Sequence, residues 1–396
     1  MTISFTGAAN VPAHDTTAPA AQAQPAAASP KRKRELGLFD ALPAAKRQRT
    51  SADTMFAPSK SATFLTTGGT IGSKTTNAQG GYAPSSDFGP AQLLAGLRLP
   101  RDLRLYSRQL FGDGIDSKDM TDEHWLGLLD TLCDDTSQSI VMTHGTDSMA
   151  LTAFFLWLTL PRERLEGQSV NLTGAMLSSD HPSADGGRNI EDALSVAASD
   201  ATGVFAVMDR AVLAPPWFDK RHTTAVDAMQ PVNGAAAGVV AEGEVSIVAP
   251  PAPPVRSFDV RGIGVLPNVA VVSAQPGTNP RHAIEQIRYL VDVQKVDGLV
   301  WQGTGGGTGN RDVMAELNRV AGRIPVVRAS HPGSGHVDKD KHHEDSAHFM
   351  ATSGRLPSAS HARVLLQVAI AHERRRLPAD AALDIRKVTA AFDDYR

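Results

Sequence analysis

The residues with the most chemical potential sit at the ends of two apolar runs. Ala62-Thr63-Phe64-Leu65-Thr66-Thr67 leads into Gly68-Gly69 and then Thr70, and Ile140-Val141-Met142-Thr143-His144 leads into Gly145, Thr146 and Asp147. A hydroxyl at a strand end is a candidate nucleophile, weak until a neighbouring base takes its proton. Glycines beside it let backbone N–H groups approach a developing oxyanion. The plainer alternative is that Thr70 caps the following turn and Asp147 caps a helix. A carboxylate at Asp147 could instead hold an amine, either a lysine side chain or the α-amino group of a substrate. His144 invites a general-base role, but no Ser or Cys triad pattern accompanies it, so it reads as structural.

Both hydroxyls need strands to aim them. Apolar, β-branched stretches at 62–67, 103–111, 139–145, 168–176 and 203–209 alternate with helical patterns at 90–98, 122–135, 147–160 and 187–199. That rhythm predicts an α/β fold whose larger N-terminal domain, 59–250, is a mostly parallel sheet with flanking helices. Ligands of such sheets sit outside the carboxyl ends of the strands, where Thr70 and Thr146 fall. Residues 233–262 break the rhythm with a Gly/Ala run, one β-like stretch at 239–248 and Pro250-Pro251-Ala252-Pro253-Pro254. A stiff, extended linker at 251–264 follows from the prolines. Strands at 268–274, 297–302 and 324–330, with helices at 280–292, 311–321 and 358–374, predict a smaller C-terminal α/β domain over 265–396.

Composition excludes several classes. At 396 residues with 41% hydrophobic content the chain can build real cores, and a net charge of −3 asks for neither nucleic acid nor membrane. The single cysteine, Cys133, forbids an intrachain disulfide and reads as a small buried core residue. No apolar run reaches the roughly 20 residues of a membrane span. No charged start followed by an apolar core is seen, so no signal peptide is expected and a cytoplasmic location is. Residues 1–58 are Ala-, Pro-, Gln-, Ser- and Thr-rich and are expected to be a disordered tail. Its clusters Lys31-Arg32-Lys33-Arg34 and Lys46-Arg47-Gln48-Arg49 resemble a bipartite nuclear-localisation signal. Such a signal would be read by an importin and would imply delivery to a host-cell nucleus; the alternative is a solvated basic tail. The run at 336–348 is rich in His and Asp, but its irregular spacing favours a solvated loop over a metal site.

Thr67-Gly68-Gly69-Thr70-Ile71 together with His144-Gly145-Thr146-Asp147-Ser148-Met149 resembles the two signatures of the bacterial-type L-asparaginase/glutaminase family. Gly174-Ala175-Met176 with Ser183-Ala184-Asp185-Gly186 and Asn189, Phe218-Asp219-Lys220-Arg221-His222-Thr223-Thr224, and Gly305-Gly306-Gly307-Thr308-Gly309-Asn310 are similar to further segments of that family. The resemblance runs from about residue 60 to the C-terminus. It implies an asparaginase-like two-domain fold and hydrolysis of L-asparagine to L-aspartate and ammonia through a threonine acyl-enzyme, with no metal and no organic cofactor. L-Glutamine is a second expected substrate.

Carried over by residue, the resemblance makes Thr70 the nucleophile and Tyr82, in Gly80-Gly81-Tyr82, the lid tyrosine that activates it. Thr146, Asp147 and Lys220 become a second group that relays protons or polarises water. A lysine is a base only where its surroundings disfavour the charged form, and Asp147 works against that, so the three would act as a coupled unit. Ser117 and Lys118 match positions beside the substrate's α-carboxylate and α-amino groups, and Asp147 would take the α-amino group. Asn310 matches a residue reaching the site from a neighbouring subunit, which implies a homodimer or homotetramer. Two departures stand out. Lys118 replaces a more usual Gln or carboxylate, and Ser148 replaces a more usual Thr. Around Lys341-His342-His343-Glu344-Asp345 the cross-subunit glutamate of some members has no clear match. The rival readings are an amidotransferase acting on a tRNA-linked residue and a regulatory or host-targeted protein that keeps the fold without turnover.

Overall fold

In the computed structural model the described residues are 60–76, 82–84, 89–112, 114–338, 350–378 and 381–396. The tail with its two basic clusters, the Gly80-Gly81 pair and the 341–345 run lie outside them.

The first strand, β1 (Lys60–Thr66), is buried from Ala62 onward, as its apolar run requires. β2 (Ser73–Thr75) and β3 (Tyr82–Pro84) pair antiparallel as a small flap after it. Helix α1 (Pro90–Leu94) opens on a proline and stops four residues short of the expected end; Gly96, with φ of 77°, turns the chain away. There follow β4 (Leu103–Gln109), α2 (Asp122–Asp134), β5 (Ser139–Thr143), α3 (Met149–Thr159), α4 (Arg162–Gly167), β6 (Ser169–Thr173), α5 (Gly186–Ala198) and β7 (Gly203–Met208). The strands from β1 to β7 in the main sheet are parallel.

The sheet then ends differently from the expectation. β8 (Ala211–Leu213) turns back antiparallel on β7 through Asp209 and Arg210, whose φ values of 44° and 66° make a tight two-residue hairpin. Asn189 supports the turn by accepting the Asp209 N–H at 3.0 Å. β9 (Phe218–Lys220) and β10 (Met229–Pro231) form a separate two-stranded ribbon. The single β-like stretch at 239–248 is a hairpin, β11 (Gly238–Ala241) and β12 (Glu244–Ile247), turned at Glu242-Gly243. The eight-stranded order is β12-β11-β8-β7-β6-β5-β1-β4.

The smaller sheet is wholly parallel, in the order β13 (Val269–Ser273), β14 (Gly298–Gly303), β15 (Val326–Ser330), β16 (Met350–Thr352). Its helices are α6 (Pro280–Arg288), α7 (Arg311–Ala321) and α8 (Ala359–Arg376), with α9 (Ile385–Thr389) near the C-terminus. Helix α3 is buried on nearly every face because α8 covers the side that the large sheet leaves open; Phe154, Phe155 and Leu158 share one core with Leu365, Val368 and Ala369. The proline-rich stretch after β12 is strapped to α3. Trp157 Nε1 donates to the Ala252 carbonyl at 3.1 Å, the Phe258 N–H reaches the Leu158 carbonyl at 2.9 Å, and Phe258 and Val260 enter the core. Cys133 is half-buried at the core's margin rather than inside it, and burial still pushes its thiol upward.

Two buried histidines give the fold an acid weakness. His144, at the end of β5, has Nδ1 2.7 Å from the Gly145 carbonyl, and burial lowers it to about 4. His361, in the first turn of α8, lies 5.3 Å from the Phe154 ring, and burial lowers it to about 3. Both stay neutral in the fold while the unfolded chain takes up protons near pH 6.5. The unfolded state therefore binds more protons below that pH, and stability falls as pH drops toward the folded values. Each contributes about 1.4 kcal/mol per pH unit in that window, so the pair gives about 2.7. Asp122, Asp192, Asp219 and Asp394, all raised by burial, act in the opposite sense closer to the ordinary carboxylate range. Urea midpoints should fall steeply between pH 6 and pH 5; a flat midpoint over that interval would contradict this assignment.

Candidate active site

Three glycines bring the strand ends into contact. Gly68 and Gly69 have φ of 118° and 87°. A Cβ on Gly68 would lie 2.3 Å from the Ile115 nitrogen, and one on Gly69 would lie 2.5 Å from the Gly145 Cα. A Cβ on Gly145 would meet Ser117 Oγ at 2.5 Å. Backbone hydrogen bonds knit the same junction: the Ile115 N–H donates to the Thr67 carbonyl at 2.7 Å, and the Thr67 N–H to the Thr143 carbonyl at 3.3 Å. Thr70 emerges from it half-buried, on a single 3-10 turn.

Opposite Thr70 stands the lysine group. Lys220 Nζ, at the end of β9, donates to Thr146 Oγ1 at 2.9 Å and to Asp147 Oδ1 at 2.6 Å. Because the ammonium has only donors, Thr146 Oγ1 accepts from it, which leaves the Thr146 proton to point elsewhere. Ser117 is buried, and its Oγ accepts the Asp147 N–H at 3.2 Å. Ser148 Oγ donates to the Ser117 carbonyl at 2.7 Å, so the serine at this position serves the turn as a hydroxyl. The Ser117 proton is likewise free for a ligand.

Thr70, Ser117, Thr146, Asp147 and Lys220 line one cavity of about 180 Å³. Together with Gly145 of the junction, Asp116, Met176, Leu177, Thr223 and Thr224 complete it. Sequence reasoning passed over these five, although each lies beside or within a stretch it had marked. The loop carrying Met176 and Leu177 is fixed by Asp185, whose two carboxylate oxygens accept their N–H groups at 3.0 Å each. Asn189 donates to the Gly174 carbonyl at 2.9 Å and to Asp185 at 3.1 Å.

The other expected residues lie elsewhere. Lys118 is not among the cavity's lining residues; its ammonium is exposed and pairs with Asp116 and, at 3.8 Å, with Asp119. Asn310 caps α7, accepting the Asp312 N–H at 2.9 Å, and lines a different cavity of about 300 Å³ on the smaller sheet. Tyr82 lies on β3, and its side chain is outside the described atoms. His144 is fully buried and does not line the site. Among the described residues, no three His, Cys, Asp or Glu side chains group as metal ligands.

A family model described as "Asparaginase, N-terminal" matches residues 62–253, and one described as "Glutaminase/Asparaginase C-terminal domain" matches residues 268–378. The chain is similar to L-asparaginase 2 of Escherichia coli (strain K12), with 32% identity over 346 residues, covering 84% of this chain and 92% of that protein. It is similar also to a glutamyl-tRNA(Gln) amidotransferase component of Pyrococcus furiosus, with 30% identity over 276 residues, covering 65% of this chain and 59% of that one. Among solved structures, a probable cytoplasmic L-asparaginase from Campylobacter jejuni matches with a TM-score of 0.72 at 26% identity, covering 85% of this chain and 100% of that one.

The glycine junction makes a sharp prediction. Gly145→Ala should cost about 1–3 kcal/mol by overpacking against Ser117 and lower turnover by 10-fold or more through displacement of the site. Gly127→Ala, on the exposed face of α2 with nothing within 4 Å of the new methyl, should instead stabilise the chain by about 0.5–1 kcal/mol. Thermal melts and steady-state rates on the two variants check this. Equal behaviour would contradict the packing argument.

Proposed function

We propose that this chain, which belongs to the asparaginase/glutaminase family of amidohydrolases, hydrolyses the side-chain amide of free L-asparagine to L-aspartate and ammonia. The observation that carries this reading is the Lys220 ammonium bonded to both Thr146 and Asp147 in a cavity that Thr70 shares. At about 180 Å³ the cavity suits an amino-acid amide and falls below the roughly 300–1,000 Å³ of pockets for drug-sized ligands.

In the proposed reaction Thr70 Oγ1 attacks the amide carbon and its proton passes to the Tyr82 and Thr146–Lys220 side of the site. The C–N bond then breaks as the amide nitrogen is protonated, and ammonia leaves a Thr70 ester. Water, polarised by Thr146, attacks that ester; the C–O bond breaks, and the proton returns to Thr70 as L-aspartate departs. Backbone N–H groups of the Gly68-Gly69-Thr70 and Gly145-Thr146 turns are suited to stabilise the oxyanion in both steps. Ser117 would hold the α-carboxylate through its free proton, and Asp147 the α-amino group. Lys118, turned toward Asp116 and Asp119, would act on the substrate only indirectly. Asn310 caps a helix of the smaller domain, so its part in the reaction rests on a homodimer or homotetramer in which a second copy brings it to the site.

L-Glutamine should be the slower substrate, since one methylene is worth about 1–3 kcal/mol, or roughly 10–200-fold. The similarity to an amidotransferase component favours a second reading, in which the ammonia freed at this site is passed to a tRNA-linked residue. Ammonia release from free asparagine and free glutamine, each with and without glutamyl-tRNA, separates the three. Thr70→Ala and Thr146→Ala should each lower release from asparagine by about 10³-fold or more. Wild-type rates in either variant would refute the assignment, and ammonia release that requires glutamyl-tRNA would replace it with the second reading.

A further inference from the structure

One wall of the cavity is loop rather than strand. After β6 the chain leaves the sheet at Gly174 and passes through Met176 and Leu177, which line the cavity, before it enters α5. Packing places this stretch between the reacting groups. A Cβ on Gly174 would lie 3.5 Å from Thr146 Cγ2. A Cβ on Gly186, the first residue of α5, would lie 2.7 Å from Ile71 Cγ1 and 3.3 Å from Ala175 Cβ. The wall therefore borders Thr146 at one end and abuts the turn that carries Thr70 at the other.

A carboxylate gives this wall its shape. Asp185 holds the N-cap position of α5, yet its side chain makes no capping bond within that helix. Both oxygens turn back across the loop instead, Oδ2 to the Met176 N–H and Oδ1 to the Leu177 N–H, at 3.0 Å each. Hydrogen bonds to an ionised acceptor are the stronger kind, and the N-terminus of a 13-residue helix favours negative charge there. Asn189, buried one turn further on, donates to Asp185 Oδ2 at 3.1 Å and to the Gly174 carbonyl at 2.9 Å. Farther out, Ser179 fastens the loop to the strand that follows Thr70: its N–H and its hydroxyl donate to the Ser73 carbonyl at 3.0 and 2.7 Å.

We infer that Asp185 is a specificity-determining positioning residue. By fixing Met176 and Leu177 it sets the depth of the cavity beside Thr70 and Thr146, and so how sharply the site separates an asparagine side chain from a glutamine one. This rests on the reading of the cavity given above. The simpler alternative is that Asp185 only steadies the loop. Lost folded protein lowers the rate on every substrate alike, whereas a displaced wall changes the ratio between two substrates, in which the amount of active enzyme cancels.

The values of kcat/KM for L-asparagine and L-glutamine, with melting temperatures, are measured on wild type, Asp185→Ala, Asp185→Asn and Thr70→Ala. Asp185→Ala removes both acceptors. Asp185→Asn is isosteric and keeps one oxygen for Met176 and Asn189, which sets an NH₂ group against the Leu177 N–H. The expected result is an asparagine-to-glutamine ratio lowered about 5-fold or more in Asp185→Ala and about 2-fold or more in Asp185→Asn. Where wild-type turnover of glutamine is too slow to measure, the ratio of inhibition constants for L-aspartate and L-glutamate is read in its place. A ratio unchanged or raised in Asp185→Ala, beside an inactive Thr70→Ala, would overturn the inference and leave the reading of the cavity standing. A Thr70→Ala protein at the wild-type rate would overturn both. Should Asp185→Ala fail to fold, Asp185→Asn decides alone.

Discussion

The Lys220 ammonium, bonded at once to a hydroxyl and a carboxylate, ties together parts of the chain that the fold otherwise keeps apart. Thr146 and Asp147 come from the turn after β5, and Lys220 from a ribbon outside the main sheet. Holding one cation against both partners requires the ribbon and the turn to keep a fixed separation. A flexible four-carbon side chain tolerates small errors, but a hydroxyl aimed at a reacting carbon does not. The surrounding contacts answer that need: Ser117 grips the Asp147 N–H, Ser148 grips Ser117, and the ribbon is fastened to the smaller domain at Gly333, Gly335 and Arg355.

The second constraint is absence of side chains. Gly68, Gly69 and Gly145 stand where any Cβ would overlap a neighbouring backbone or Ser117, so three loops can share one small volume. Parallel strands supply the direction, since each carries its following loop to the same edge. The α3–α8 core matters for stability and for its dependence on pH. Phe154 packs on His361, whose Nδ1 lies 2.9 Å from Ser358 Oγ at the start of α8. Burying a neutral histidine there ties this contact to pH.

Much of this was legible in the sequence where local signals were strong. The apolar runs into Gly68-Gly69 and Gly145 announced strand ends with hydroxyls beyond them, and Thr70 and Thr146 do share a cavity. The parallel strands and the helix at 311–321 followed from periodicity. The hairpins escaped because Asp209-Arg210 carries no glycine and Glu242-Gly243 lies inside what read as one strand. Lys220 alone looks like any surface lysine; family resemblance singled it out, and nothing local in the sequence reveals that Arg221 beside it meets Gly333 far along the chain. The strapping of 251–264 onto α3 was hidden for the same reason: prolines report stiffness, and tertiary partners report only in three dimensions.

The central claim is that one cavity at the strand ends takes a small amino-acid amide in a single orientation. A crystal structure of the chain soaked with L-aspartate, the proposed product, tests it most directly. The account predicts the ligand in the cavity, with its α-carboxylate on Ser117, its α-amino group on Asp147 and its side-chain carboxylate between Thr70 and Thr146. Aspartate bound with its side chain turned toward Ser117, or bound only outside this cavity, would contradict it.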